Sequence, residues 1–133
     1  MSHNDIAWLL ATHPGPSARD PKRAAELAQG AIDLAPKNSN YWNTLGVARY
    51  RAGDFEGSIA ALQKFRELRT DDAEWGNPFF LAMAHWRSDH KDEARRWYDI
   101  GVDWMNKKPA NGTDAMKRFR GEAAELLGVS EIR

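Results

Sequence analysis

The chain has 133 residues, with 19 Lys and Arg against 19 Asp and Glu, a formal net charge of +0, and no cysteine. That balance argues against a general nucleic-acid binder, which carries a basic excess, and the missing cysteine excludes a disulfide framework and thiol chemistry. No apolar stretch approaches the roughly 20 residues that a bilayer-spanning helix needs, and at this length one domain is expected, long enough to bury about two-thirds of its unfolded surface.

The start, Met1-Ser2-His3-Asn4-Asp5, is polar. The apolar run Ile6 to Ala11 is too short, and lacks the basic flank, for a signal peptide, so a soluble cytoplasmic protein is expected. Asp5 to Thr12 is predicted as a short helix with Ile6, Trp8, Leu9 and Leu10 as its apolar residues. His13-Pro14-Gly15-Pro16 cannot continue it, because two prolines remove backbone donors and fix φ. Asp20-Pro21 then starts a helix, with Asp as N-cap and Pro in the first helical position. Ala24, Leu27, Ala28, Ala31, Ile32 and Leu34 follow at helical spacing, and Pro36 ends the run. Gly30, inside that helix, costs about 1 kcal/mol, and close packing is expected to offset it.

Ser39 or Asn40 is expected to cap the next helix, which carries Trp42, Leu45, Gly46, Arg49 and Tyr50 at three- and four-residue steps. Gly46 reads as a site where the partner helix crosses close. Gly53 suits a left-handed helix end and Asp54 the cap of the helix that follows. The stripe of that helix is Phe55, Ile59, Leu62, Phe65 and Leu68. Thr70 to Asn77 is polar, and Pro78 fits a first turn. Phe79, Phe80, Leu81, Met83, Ala84 and Trp86 make the next helix apolar nearly all round, so both its sides should be covered. Ser88-Asp89-His90 forms a turn without glycine, which Asp89 tolerates. Glu93 to Lys107 is predicted as a long helix with Trp97 and Trp104 on one side. Lys108-Pro109-Ala110-Asn111-Gly112 reads as a loop, Thr113 as an N-cap, and Met116, Phe119, Ala123, Leu126 and Leu127 as a stripe stopped by Gly128.

These pieces repeat. Trp8 lies 34 residues before Trp42, and Pro36 lies 34 before Thr70. Leu45 recurs at Leu81 after 36 residues, with Ala82 behind it, Trp86 opposite Tyr50, and Ala94 and Tyr98 in the slots held by Ser58 and Leu62, or earlier by Ala24 and Ala28. The summed pattern is that of the tetratricopeptide repeat, W-x2-L-G-x2-Y…A-x3-F…P with a period of about 34 residues. The segments AWLLAT, RDPKRAAELA, AIDLAPKNSNYWNTLGVARYRAGDF and FFLAMAHWRSDHKDEARRWYD resemble tetratricopeptide segments of large bacterial proteins, where they often lie near the end of a chain that begins with a kinase domain or WD40 propeller. The resemblance covers about residues 4 to 127. It implies an all-α fold: a right-handed αα-hairpin solenoid of about three repeats in a single domain over 1–133, with repeat 1 at 2–36 and its long Pro-rich loop at 13–20, repeat 2 at 39–72, repeat 3 at 75–108, and a capping helix at 113–127.

It also implies a protein-protein interaction scaffold that holds a peptide or protein segment in the concave groove formed by the first helix of each repeat. In the family, contacts come from about the second, fifth, ninth, twelfth and thirteenth positions of a copy. These are Asn40, Asn43, Val47, Tyr50 and Arg51 in the second copy, and Gly76, Phe79, Met83, Trp86 and Arg87 in the third; the first contributes Ile6 and Leu9. Asn43 would bond an extended backbone, Arg51 and Arg87 would pair with carboxylates, and Tyr50, Phe79, Met83 and Trp86 would offer an apolar floor. Equally, Tyr50 and Trp86 stand where the family often packs its own array, and Arg51 and Arg87 read just as well as solvated surface side chains. Members that bind a chaperone C-terminal carboxylate carry Lys at the fifth position and Asn at the ninth. Asn43 and Val47 stand there instead, against that specific activity.

Enzymatic readings are weak. His3, His13, His85 and His90 are the histidines, and His85 with Asp89 has only minimal metal spacing where zinc wants three or four ligands. No phosphate loop or nucleophile motif is present, so no catalysis, metal or cofactor is expected. The alternative to peptide binding is a structural or self-assembly module, a homo-oligomer or a spacer in a larger complex. The short first helix and its proline loop leave that end poorly capped, which motivates it.

Repeat arrays need an end element with one polar side, and residues 113 to 127 are expected to supply it by covering Trp97 and Trp104. Deleting everything after Asn111 should therefore expose both tryptophans and cause aggregation, seen as scattering on heating and a lowered melting temperature. An unchanged melting profile and a monomeric truncation would refute the capping role.

Overall fold

A computed structural model describes residues 2–108 and 113–130. Among the described residues the fold is all-α: α1 (His3–Thr12), α2 (Pro21–Leu34), α3 (Ser39–Arg51), α4 (Phe55–Leu68), α5 (Asn77–Arg87), α6 (Lys91–Asn106) and α7 (Asp114–Leu127), with a 3-10 turn at Pro16–Ala18. No described helix is long and apolar enough to cross a membrane. The loop expected over 108–112 lies, from Pro109 on, outside the described residues.

Local chemistry sets the helix ends. Helix α1 starts at His3 rather than Asp5, because the Ser2 hydroxyl accepts the Asp5 N–H and the Asp5 carboxylate accepts the Ser2 N–H, a reciprocal capping box. Asp20 caps α2 with Pro21 behind it. Helix α3 is capped by Asn38, not by Ser39 or Asn40: its side-chain oxygen accepts the Asn40 N–H at 3.1 Å, so those two residues fall inside the helix. Gly53 has φ +88 and Asp54 accepts the Gly57 N–H, so one helix closes and the next opens within two residues. The same turn between α5 and α6 puts Asp89 at φ +64 without glycine. Helix α6 starts at Lys91, two residues before Glu93, and ends at Asn106. Thr113 caps α7 through the Met116 N–H, and Gly128 closes it at φ +73.

The single domain expected over 1–133 divides into two compact units, Met1–Asp72 and Ala73–Arg133. Residues 69–76, between α4 and α5, form no helix.

In the first unit α1 packs on α2 and on α3, α2 on α3, and α3 on α4. The Pro-rich loop is tied back to α1, with the Asp20 N–H on the Leu10 carbonyl at 2.9 Å and the Arg19 Nε–H on the His13 carbonyl at 2.8 Å. Trp42 donates its indole N–H to the Pro36 carbonyl at 2.8 Å, pinning the α2–α3 connection. Gly46 is the point of closest approach to α4: a Cβ there would lie 2.5 Å from the Leu62 side chain. The Ser58 hydroxyl donates to the Gly46 carbonyl beside it, at 2.6 Å. Gly30 has no such reason. Nothing lies within 4 Å of a Cβ placed there, so close packing does not account for it.

In the second unit α5 packs on α6 and α7, and α6 on α7. Residues Asn77 through His85 are all buried, as the apolar composition of α5 requires. The roles of glycine and bulky side chain are exchanged relative to α3 and α4. Gly101, on the second helix, takes the Phe79 ring of the first, at 2.7 Å from where its Cβ would be. Helix α7 covers this pair through Phe119, which meets Phe80 edge-on with centroids 4.8 Å apart and lies over Gly76. Trp97 is buried and Trp104 half-buried. Trp75 has φ +49 and Gly76 φ +77, and the Asn77 N–H returns to the Glu74 carbonyl at 2.7 Å. That tight turn places a bulky residue where Asn, Asp or Gly is usual.

The two glycines predict opposite outcomes for one change. Gly30→Ala should stabilise the protein by about 0.5–1 kcal/mol through helix propensity alone. Gly46→Ala should cost about 1–3 kcal/mol despite the same gain, because Leu62 must move. Urea midpoints of the two variants check this.

Candidate functional site

The expected contact residues lie on α1, α3 and α5, or just before α5 for Gly76. On α3 the buried run is continuous from Asn43 to Ala48. Asn43 is 2% and Val47 0% exposed. Burial of so polar a helix is tolerable because its polar groups are paired: the Thr44 hydroxyl, for instance, donates to the Asn40 carbonyl at 3.1 Å. Tyr50 is also buried, its ring 5.6 Å from that of Phe55 across the Gly53 turn. Arg51 is half-buried and donates its Nε–H to the Ala11 carbonyl at 3.2 Å. It thereby satisfies one of the carbonyls that the last turn of α1 cannot pair internally. Asn40, in the first turn of α3, is exposed.

On α5 the division is the same. Phe79 is 1% and Met83 0% exposed, and Phe79 packs edge-on against Tyr98 with centroids 6.0 Å apart. Gly76 is buried beneath Phe119. Trp86 is half-buried, and the chain's own Lys91 sits over its ring with Nζ 3.6 Å from the centroid. That ammonium is held further by the Trp86 carbonyl at 3.3 Å and lies 3.9 Å from the Asp89 carboxylate. Arg87 is exposed. In α1, Ile6 is half-buried and Leu9 exposed.

Asn43, Val47, Phe79 and Met83 therefore serve the interior, together with most of Tyr50. The accessible set is Asn40, Leu9 and Arg87, with Ile6, Arg51 and Trp86 in part. The sequence reading missed Lys91. Its signal is weak but real: a lysine five residues after a tryptophan, across a three-residue turn, is within reach of the ring.

The histidines pair differently from the sequence expectation. Asp89 leaves the helix in its left-handed turn, so it does not share a side with His85. His85 instead faces His90, with the two Nδ1 atoms 3.1 Å apart. One ring supplies the N–H and the other the lone pair. Among the described residues no group of three or more His, Cys, Asp or Glu side chains is placed to hold a metal ion.

Compared with known proteins, the chain matches no protein-family model and no curated protein.

The division between interior and accessible residues is measurable. Asn40→Ala and Arg87→Ala should each change stability by less than about 1 kcal/mol, as surface substitutions do. Phe79→Ala and Met83→Ala should each cost about 2–5 kcal/mol through the cavity they leave. Equal losses across the four variants, read from denaturant midpoints, would contradict the assignment.

Proposed function

We propose that the chain is a tetratricopeptide-like interaction scaffold, a right-handed αα-hairpin array that binds a peptide or protein segment. We place it in the cytoplasm, where a cysteine-free chain needs no oxidising compartment. The observation that carries this reading is the neighbour order of the first unit: each helix packs on the next, and α1 also packs on α3. Stacked hairpins have that order, first helix beside first helix. The close-approach glycine at Gly46, opposite Ser58 in the small-residue slot of α4, supports the same reading.

The contacts proposed are the accessible ones. Asn40 supplies a hydrogen-bonding amide, Arg51 and Arg87 supply guanidinium groups for carboxylates, and Trp86 supplies the part of its ring that Lys91 leaves open. Asn43, Val47, Phe79 and Met83 are not proposed as ligand contacts, since they are closed off. The test is selection of peptides from a random display library. Acidic peptides should be enriched, and Asn40→Ala or Arg87→Ala should each weaken the peptides bound by its own unit about tenfold with unchanged melting, about 1.4 kcal/mol of binding energy. No enrichment, or peptides indifferent to both changes, would sink the proposal.

A second reading is favoured by one observation. Leu34 is 83% exposed at the end of α2, and Leu9 is 48% exposed on α1. Large aliphatic side chains left in water on one hairpin suit self-association. Light scattering across a concentration series should then show a mass that rises with concentration and falls back in a Leu34→Glu variant. A concentration-independent monomer counts against assembly.

A further inference from the structure

We draw no further inference here: the strongest candidate, the side-chain cluster of His85 and His90 across the α5–α6 turn with Nδ1 atoms 3.1 Å apart, is joined by no third metal-ligating side chain among the described residues and is accounted for by the hydrogen bond the two rings share.

Discussion

Helices α3 and α4 close on each other because residue 46 has no side chain. Leu62 occupies the space a Cβ would fill, the Ser58 hydroxyl reaches the Gly46 carbonyl, and the Arg49 guanidinium reaches the Gly57 carbonyl at 3.2 Å. Each contact needs the two backbones to be near, and each is lost if they part. The hydroxyl of Ser58 is fully buried, which would be costly without an acceptor; Gly46 supplies one by leaving its carbonyl uncovered. The second unit uses the same device with the partners exchanged, Gly101 giving way to Phe79. In both hairpins the approach of the backbones decides how much of the first helix remains in contact with water.

That constraint explains which parts of the fold could be read from the sequence. Helix ends were legible, because a cap is decided by residues within about four positions of it. Asp20-Pro21, Gly53-Asp54, Asp89, Thr113 and Gly128 all act as their chemistry dictates. The misplaced ends differ by one or two residues, as at Asn38, where three neighbouring residues are all good caps and only the backbone geometry selects one. Gly46 was legible because it falls in a repeated slot. The seat of Phe119 over Gly76 was not, since 43 residues separate the two and Phe119 lies outside the repeats.

The candidate site was legible only in part, for a related reason. Helical spacing shows which residues share a side; it does not show what lies over that side. For α5 the composition pointed to cover all round, yet the repeat positions offered Phe79 and Met83 as an open floor, and both are buried. Helix α3 reads SNYWNTLGVARYR and invites the opposite conclusion, with Ser, Asn, Thr and Arg suggesting an exposed face. Yet Asn43 and Thr44 are buried. A hydroxyl that donates to the carbonyl four residues earlier carries its own acceptor, so a polar residue on a helix is a poor sign of exposure. Arg51 is a similar case, since its Nε–H goes to the α1 carbonyl rather than waiting for a ligand.

The consequence for recognition is one of kind rather than degree. Phe79 and Met83, the apolar residues that would have formed a binding floor, are spent on holding the second unit together. On the proposed reading, removing them would weaken binding only by destabilising the fold. What remains on the proposed reading is an amide at Asn40, a guanidinium at Arg87, and the edges of Arg51 and Trp86. Exposed charges of this sort favour encounter and selectivity over tight association, and they lose strength as salt shortens their reach to about 8 Å at physiological ionic strength. Lys91 adds to this by lying on the Trp86 ring. A cationic partner would have to compete for that face, whereas an acidic one meets an ammonium already in place beside the guanidinium of the neighbouring residue. The proposed partner is therefore acidic, because Arg87 and Lys91 beside the Trp86 ring outnumber the exposed carboxylate next to them, that of Asp89.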